Sequence, residues 1–226
     1  MTQNLPAVED DFDSVEQAIA AIAAGGFAVV VDDTDRENEG DLIIAAEKIT
    51  AAQMAFLVRY SSGVVCVALT GERLDQLQLP LMVSSNNESQ RTAFTVTVDY
   101  LHGTSTGISA ADRAATLRAL ADSRIPASDF ARPGHIFPLR YAPGGVLARP
   151  GHTEAALDLS RLAGLAPAGV LCEIVNDDGS MARRPELLNF ARQHGLPIIT
   201  IAELITYRER TEMAGLEVAT PVGVPA

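Results

Sequence analysis

Two hydrophobic rhythms alternate along the chain, one with helical spacing and one with strand spacing. Ser14 and Gln17 form a capping-box pair ahead of an alanine-rich apolar stretch, which predicts a helix closed by Gly25 and Gly26. The runs FAVVV and LIIAA predict buried strands over 27–31 and 42–46, separated by a strongly polar segment. Thr50, with Gln53 three residues later, caps a second helix. A strand over 64–69 and a short amphipathic helix over 71–79, stopped by Pro80, come next. Past the polar loop 84–91, alternation in AFTVTVDY predicts a half-buried strand over 93–100. Ser109 caps the following helix, and Asp112 completes its box. The Pro- and Gly-rich stretch 132–152 leaves room for short strands over 136–139 and 146–148. A helix over 153–163, a strand over 169–175 and the turn NDDGS follow. Pro185 opens a helix that Gly195 closes, before a strand over 198–201 and a helix to about residue 210. The tail, 211–226, reads as disordered.

Helices and strands intermix throughout, with no repeat and no linker-like tract. The fold class that follows is α/β (mixed α+β): one sheet covered by helices on both faces, in a single domain over 1–226 with its core at about 14–210. Adjacent strands on either side of the polar segment call for a mixed rather than a purely parallel sheet.

Composition narrows the function classes. At 226 residues and 47% hydrophobic, with no Trp, the chain can bury a sizeable aliphatic core. No apolar run reaches the roughly 18–20 residues of a membrane span, and the acidic start lacks the features of a signal peptide, so a cytoplasmic location is expected. Cys66 and Cys172 both lie in strand-like runs and read as buried thiols rather than a disulfide. A net charge of -12 argues against nucleic acid or an anionic membrane as partner. Lys48 is the only lysine, so phosphate or carboxylate recognition would fall to arginines, whose planar fork suits both.

The polar segment is DDTDRENEGD, which holds six carboxylates: Asp32, Asp33, Asp35, Glu37, Glu39 and Asp41. One reading is a solvated turn. An EF-hand fits its opening but would need a bidentate Glu where Ala46 stands. Spacing gives a third reading. In extended chain Glu37, Glu39 and Asp41 would point one way, and three like charges on one face call for a cation, Mg²⁺ being the natural hard ion. Arg36 would then face the other side or an anionic ligand, and Gly40 permits a tight bend.

Ligands from elsewhere can be sought among the histidines. His194 lies within a helix and reads as structural, and His102 lies in a loop. His135 and His152 each follow Arg-Pro-Gly, an internal echo in which Pro and Gly fix the backbone beside a possible ligand. Arg149 and the amides opening the helix after His152 suit a phosphate. Glu173 interrupts an otherwise apolar strand, and a partly buried carboxylate there is suited to proton transfer.

Five segments in order, DDTDRENEGDLIIAAE, TGISAADRAATLRAL, RPGHIFPLR, GGVLARPGHTEAALDL and AGVLCEIVNDDGSMAR, resemble the 3,4-dihydroxy-2-butanone-4-phosphate synthase family of riboflavin biosynthesis. The match runs from about Ser14 to Arg210, and with no second domain it resembles the stand-alone form rather than the fusion to GTP cyclohydrolase II. The resemblance implies a twisted mixed sheet and a homodimer with shared active sites. It implies Mg²⁺, replaceable by Mn²⁺, and no organic cofactor. The implied reaction converts the sugar phosphate ribulose 5-phosphate to 3,4-dihydroxy-2-butanone 4-phosphate and formate. Carried over by position, Glu37 and His152 match the metal ligands, and Arg36 and Asp41 match substrate contacts. Arg149, Pro150, Gly151, His152 and Thr153 match the phosphate-side loop. Glu173 and His135 match essential catalytic residues, and Asp32, Glu39 and Asp41 match acids that assist them. Thr106 and His135 are implied to reach the site of the neighbouring subunit. Two other readings stay open on the residues alone: another Mg²⁺-dependent sugar-phosphate isomerase or aldolase, and a non-catalytic binding module of the same fold.

Overall fold

The computed structural model describes residues 12–219. Its centre is one seven-stranded mixed sheet. The strands are β1 (Ala28–Val31), β2 (Gly40–Ala45), β3 (Cys66–Leu69), β4 (Val98–Tyr100), β5 (Phe130–Arg140), β6 (Ala168–Glu173) and β7 (Ile198–Thr200), in the order β4-β5-β3-β6-β2-β1-β7. β1 and β7, and β3 and β5, run parallel, while the other neighbours are antiparallel. Seven helices cover the sheet among the described residues: α1 (Val15–Ala23), α2 (Ala51–Tyr60), α3 (Gly71–Gln76), α4 (Ala110–Ala121), α5 (His152–Leu162), α6 (Arg184–His194) and α7 (Ile201–Ala219). None of them is long and apolar enough to cross a membrane.

Alternation along the central strands divides the core in two. Val29, Leu42, Ile44, Val67 and Val170 pack under α2, α3, α4 and α6. Val30, Ile43, Ala45, Ala68 and Leu171 pack under α1, α5 and α7. Strands buried on both faces explain why they read as continuous apolar runs. The capping boxes at Ser14–Gln17 and Thr50–Gln53 form as the residues predict. Arg73 adds a cap that the pattern does not announce, its guanidinium donating to the carbonyls of Ala119, Leu120, Asp122 and Ile125 at the C-terminal end of α4. His194 packs against Phe56, Tyr60 and Phe190, which gives it the structural role expected.

Several boundaries differ for identifiable reasons. The strand expected over 93–100 joins the sheet only at β4, while Phe94 and Thr95 make isolated bridges. Pro138, opposite Thr95, accepts its N–H but has none to return, so the ladder lapses there. The strand expected over 146–148 is a 3₁₀ turn, Gly145–Leu147, preceded by left-handed Gly144. The buried Asp158 carboxylate draws it in by accepting the Val146 N–H at 2.9 Å. Asp112 does not complete a box with Ser109 but turns back to accept from Ser105 and Gly107. α7 continues past residue 210 to Ala219, and the part of the expected tail beyond it, 220–226, lies outside the described residues.

One helix places the functional residues. α5 lies close on the sheet because β6 offers Gly169, where an added Cβ would come within 2.2 Å of the Ala156 carbonyl oxygen. Neither backbone can retreat without uncovering the core of that face. Gly169→Ala is therefore predicted to destabilise the protein by about 2 kcal/mol or more, within the range for overpacking a tight core. A fall in the urea midpoint with unchanged slope is the expected reading, and an unchanged midpoint would show that α5 has room to move.

Candidate active site

The start of α5 is fixed by a histidine. His152 is buried, and its Nε2 lies 3.1 Å from the Val30 carbonyl of β1. A carbonyl only accepts, so Nε2 carries the proton, and Nδ1 is turned toward Glu37 Oε2 at 3.5 Å and Asp41 Oδ1 at 3.7 Å. Asp41 Oδ1 is buried with no hydrogen-bond partner among the described residues. Register adds another acid, since Asp41 on β2 is paired directly with Glu173 on β6. Like charges in that relation repel unless a cation or a proton intervenes. Glu173 is half-buried and takes a hydrogen bond from Ser62 Oγ at 2.6 Å.

Electrostatics reflect the crowding. Burial pushes the Asp41 carboxyl up to about 8, against the opposing pull of His152 and with the help of Glu173 and Glu37. Burial opposes the charge on His152, yet the Asp41 and Glu37 carboxylates outweigh it and push the imidazole up to about 9. Glu37 is held below its ordinary range by its hydrogen bond with His152 and the Arg36 charge, against burial. Glu39 is raised by burial and by the charge of Glu37. Without metal, a proton on His152 Nδ1 occupies the place between the carboxylates.

The acidic loop is not the extended ladder its spacing suggests. Residues 34–37 form a turn and Asn38 has φ +55°, so alternation breaks before β2 begins. Glu37 and Asp41 still converge on His152, while Glu39 stands at the rim with Arg183 3.8 Å away. Asp32 is the buried hub of the turn. Its Oδ1 accepts Glu39 N–H at 2.8 Å, and its Oδ2 accepts Glu37 N–H at 3.0 Å and Arg36 Nη1 at 2.9 Å. Arg183 holds the outer side by donating to the carbonyls of Glu37 and Asn38. Gly40 lets the end of Leu187 pack against the strand, since a Cβ there would fall 2.6 Å from Leu187 Cδ1 and push that side chain aside.

A cation fits this place. Asp32, Glu37 and His152 offer ligand atoms within 4.8 Å of one another. Asp32 takes three loop donors and keeps an acceptor site, while Asp41 Oδ1 has no hydrogen-bond partner among the described residues. Glu37, His152 and Asp32 can together hold an ion, with Asp41 beside them.

The second part of the site is an anion cradle. Arg36 and Arg149 converge over Gly151, the N-cap of α5, where an added Cβ would lie 3.1 Å and 2.5 Å from their guanidinium nitrogens. Arg149 is set by Glu154, buried in the first turn of α5, through a 2.7 Å bond, and also donates to the Gln90 carbonyl at 3.1 Å. Two guanidinium groups above a helix N-terminus make a site for a phosphate. Metal place and cradle share one cleft of about 190 Å³, lined by Arg36, Glu37, Asp41, Arg149, His152, Thr153 and Glu173. Cys66, Phe94, Leu139 and Leu171 form its apolar part, with Glu88 and Thr92 of the polar loop across the opening. Both thiols are free and buried.

Asp32, Glu39 and Gly151 adjoin the cleft without lining it, and three further candidates lie away from it. Pro150 faces a neighbouring depression beside Asp33 and Ile201. Thr106 and His135 are exposed and lie together near the β4 edge of the sheet. Sequence reasoning missed Glu154, Ser62 and Glu88. An acid in the first turn of a helix is so common that Glu154 carried no signal, and the other two gain meaning only from what they touch.

Fold and cleft together define an enzyme that handles a phosphorylated substrate next to a metal-binding acid cluster. The model of the family described as 3,4-dihydroxy-2-butanone 4-phosphate synthase matches residues 16–207, and the chain belongs to that family. The 3,4-dihydroxy-2-butanone 4-phosphate synthase of Agrobacterium fabrum is 61% identical over 193 residues, covering 85% of this chain and 91% of that protein. The one from Cronobacter sakazakii is 56% identical over 202 residues, covering 89% and 93%. A crystal structure of a 3,4-dihydroxy-2-butanone 4-phosphate synthase in complex with two magnesium ions superposes with a TM-score of 0.87 at 50% identity, covering 89% of this chain and 99% of that one.

The raised protonation of His152 and Asp41 gives a signed prediction for the metal-free protein. His152 titrates at about 9 when folded against an ordinary 6.5, so its contribution is full below 6.5 and is lost as pH rises through 9. Asp41 lies 3.7 Å from the same imidazole, so the two titrate as one pair, and burial, which pushes the Asp41 carboxyl up to about 8 from an ordinary 3.8, makes loss of the pair's proton cost the fold in the same direction. In EDTA the melting temperature is predicted to fall by several degrees across pH 6.5–9. Mg²⁺ should flatten that fall, because the ion takes the place of the proton. A melting temperature that rises with pH in EDTA would contradict the buried charge arrangement.

Proposed function

We propose that the chain converts ribulose 5-phosphate to 3,4-dihydroxy-2-butanone 4-phosphate and formate, as a step of riboflavin biosynthesis, in the cleft at the start of α5. The observation that carries this reading is the joining, in one small cleft, of an unsatisfied acid–histidine cluster and a two-arginine anion cradle. A five-carbon sugar phosphate has both ends to match: a dianion for Arg36, Arg149 and the α5 amides, and adjacent oxygens for the acid cluster. The balance is simple. Five carbons enter, four leave on the phosphate and one leaves as formate; the water lost after enolisation is regained when formate is released.

The residues divide the work. Arg149, preset by Glu154, and Arg36, preset by Asp32, hold the phosphate and fix where the sugar carbons fall. Glu37 and His152, with Asp41 alongside, hold Mg²⁺, for which Mn²⁺ can substitute. The ion supplies stabilisation of negative charge on neighbouring sugar oxygens. Glu173, kept in place by Ser62 and set opposite Asp41, is positioned to take and return protons, with Glu39 at the rim. Cys66, Phe94, Leu139 and Leu171 exclude water from the carbon skeleton while it rearranges. The reading calls for no organic cofactor and for a cytoplasmic enzyme.

It also includes a homodimer with shared sites. Support comes from His135 and Thr106, which lie outside the cleft, and from exposed Leu101 and Ile108 bordering their loop. A second chain's cleft meeting this loop would give those residues a role in the reaction.

Carbon NMR of the protein with ribulose 5-phosphate and Mg²⁺ is the direct test. Formate must appear; a simple isomer or a pair of aldol fragments would assign a different reaction. Glu37→Gln keeps size and removes charge, and it is predicted to abolish activity in a folded protein while weakening Mg²⁺ protection in thermal melts. Near-normal activity at limiting Mg²⁺ would remove Glu37 from the metal site.

Site sharing is tested by complementation. Homodimers of His135→Ala and of Glu37→Gln should each be nearly inactive, and after subunit exchange the mixture should regain activity. About half the dimers are then mixed with one intact site each, so recovery of about a quarter of wild type per total site is expected for independent sites. No recovery after demonstrated exchange would place both residues in the service of one chain's site.

A further inference from the structure

His135 is presented by a deliberate irregularity. Along β4 and β5 the register jumps from Val98↔Ile136 to Asp99↔Ala131, so residues 132–135 bulge out of the ladder. A bulge of this kind re-aims a side chain. Gly134 makes it possible, since a Cβ there would lie 2.0 Å from the Val98 carbonyl carbon, and its N–H is held by Thr97 Oγ1 at 3.0 Å.

At the foot of the bulge, Asp99 grips His135 twice. Its Oδ1 accepts the His135 backbone N–H at 2.9 Å, and its Oδ2 lies 2.6 Å from His135 Nδ1. The carboxylate is largely buried, with 13% of the side chain exposed, while the imidazole is 41% exposed. A third segment closes on the pair. Gly107, at φ +91°, leaves room for both: a Cβ would lie 2.0 Å from Asp99 Oδ2 and 2.8 Å from His135 Nδ1. Asp112 holds that loop by accepting from Ser105 N–H, Ser105 Oγ and Gly107 N–H. From α4 beneath, Arg113 is buried near this pair. Three segments thus serve to fix the direction of one exposed ring.

We propose that Asp99 is the positioning residue of His135: its carboxylate keeps the ring proton on Nδ1 and turns Nε2 outward as the proton acceptor of the reaction. This rests on the reading that His135 takes part in catalysis. An ionised carboxylate only accepts, so the nitrogen facing it must carry hydrogen, and the neutral ring then has one bare lone pair, on Nε2. When Nε2 takes a proton from substrate, the bonding pair stays on the substrate, the ring becomes imidazolium beside Asp99, and the proton is returned in a later step. Asp99 never touches substrate. Its effect passes through tautomer and orientation, the logic of an acid behind a catalytic histidine.

Asp99→Asn separates this role from packing. The amide oxygen can still accept the backbone N–H, which places the NH₂ group against Nδ1 and drives the ring proton to Nε2. We expect kcat to fall about 10²–10⁴-fold, the span of a general acid–base contribution, with KM little changed. Nitrogen-15 NMR of the imidazole, at a pH above its titration, should show Nδ1–H in the wild type and Nε2–H in the variant. His135→Ala should lose activity to a similar extent, and the double variant should be no worse than either. If His135→Ala is inactive while Asp99→Asn keeps wild-type kcat, the proposal falls and the role of His135 stands. If His135→Ala itself is fully active, the reading beneath the proposal falls and takes it along. Should Asp99→Asn fail to fold, the wild-type spectrum decides, because a neutral ring protonated at Nε2 would overturn the assignment.

Discussion

The hydrogen bond from His152 Nε2 to the Val30 carbonyl is the contact on which the site is built. It ties the first residue of α5 to a central strand and settles which ring nitrogen is left over. That nitrogen then faces Glu37 and Asp41 in a place with little water to screen them. Uncompensated, two carboxylates and a third opposite them on β6 would not share so small a volume. A proton can fill the gap, and so can a divalent ion. The protein is therefore made for a cation by the position of one helix, and the helix takes that position because Gly169 lets it lie against the sheet.

The same logic of preset charges recurs at the other end of the cleft. Each cradle arginine is held by a buried carboxylate, Asp32 for Arg36 and Glu154 for Arg149, and Arg36 also bonds Glu37 at 2.5 Å. Both acids are buried, which makes the pairing exacting, since losing either partner would strand a charge out of water. The arginines are thereby aimed before any ligand arrives, and less entropy has to be given up on binding. Asp32 and Glu154 act through others, as does Asp99 behind His135. In all three cases a buried acid orients an exposed or half-exposed base.

Much of this architecture is written in local pattern. Capping boxes, apolar runs and glycine stops located most elements because helix ends and buried strands have strong local requirements. The acid cluster, His152, Arg149 and Glu173 were legible as oddities: charges where the pattern asks for none. Failures came where a distant group overrode local preference. Asp158 pulled 145–147 into a turn, Pro138 broke a ladder that alternation had extended, and Asp112 left its own cap to hold the loop carrying Thr106.

The two Arg-Pro-Gly-His segments show most plainly where sequence stops. The tetrapeptide by itself suggested a backbone fixed by Pro and Gly beside a ring able to bind or carry a proton, and at neither place does it form a turn. What it could not determine is the surroundings. At 132–135 the strand β4 lies alongside, the segment becomes a bulge, and Asp99 takes hold of an exposed ring. At 149–152 a helix begins, the ring is buried, and a carbonyl takes hold of it instead. Identical residues acquire opposite burial and different partners because their hydrogen bonds are completed by groups far away in the chain. Those groups are brought near only when the sheet and its two helical layers close.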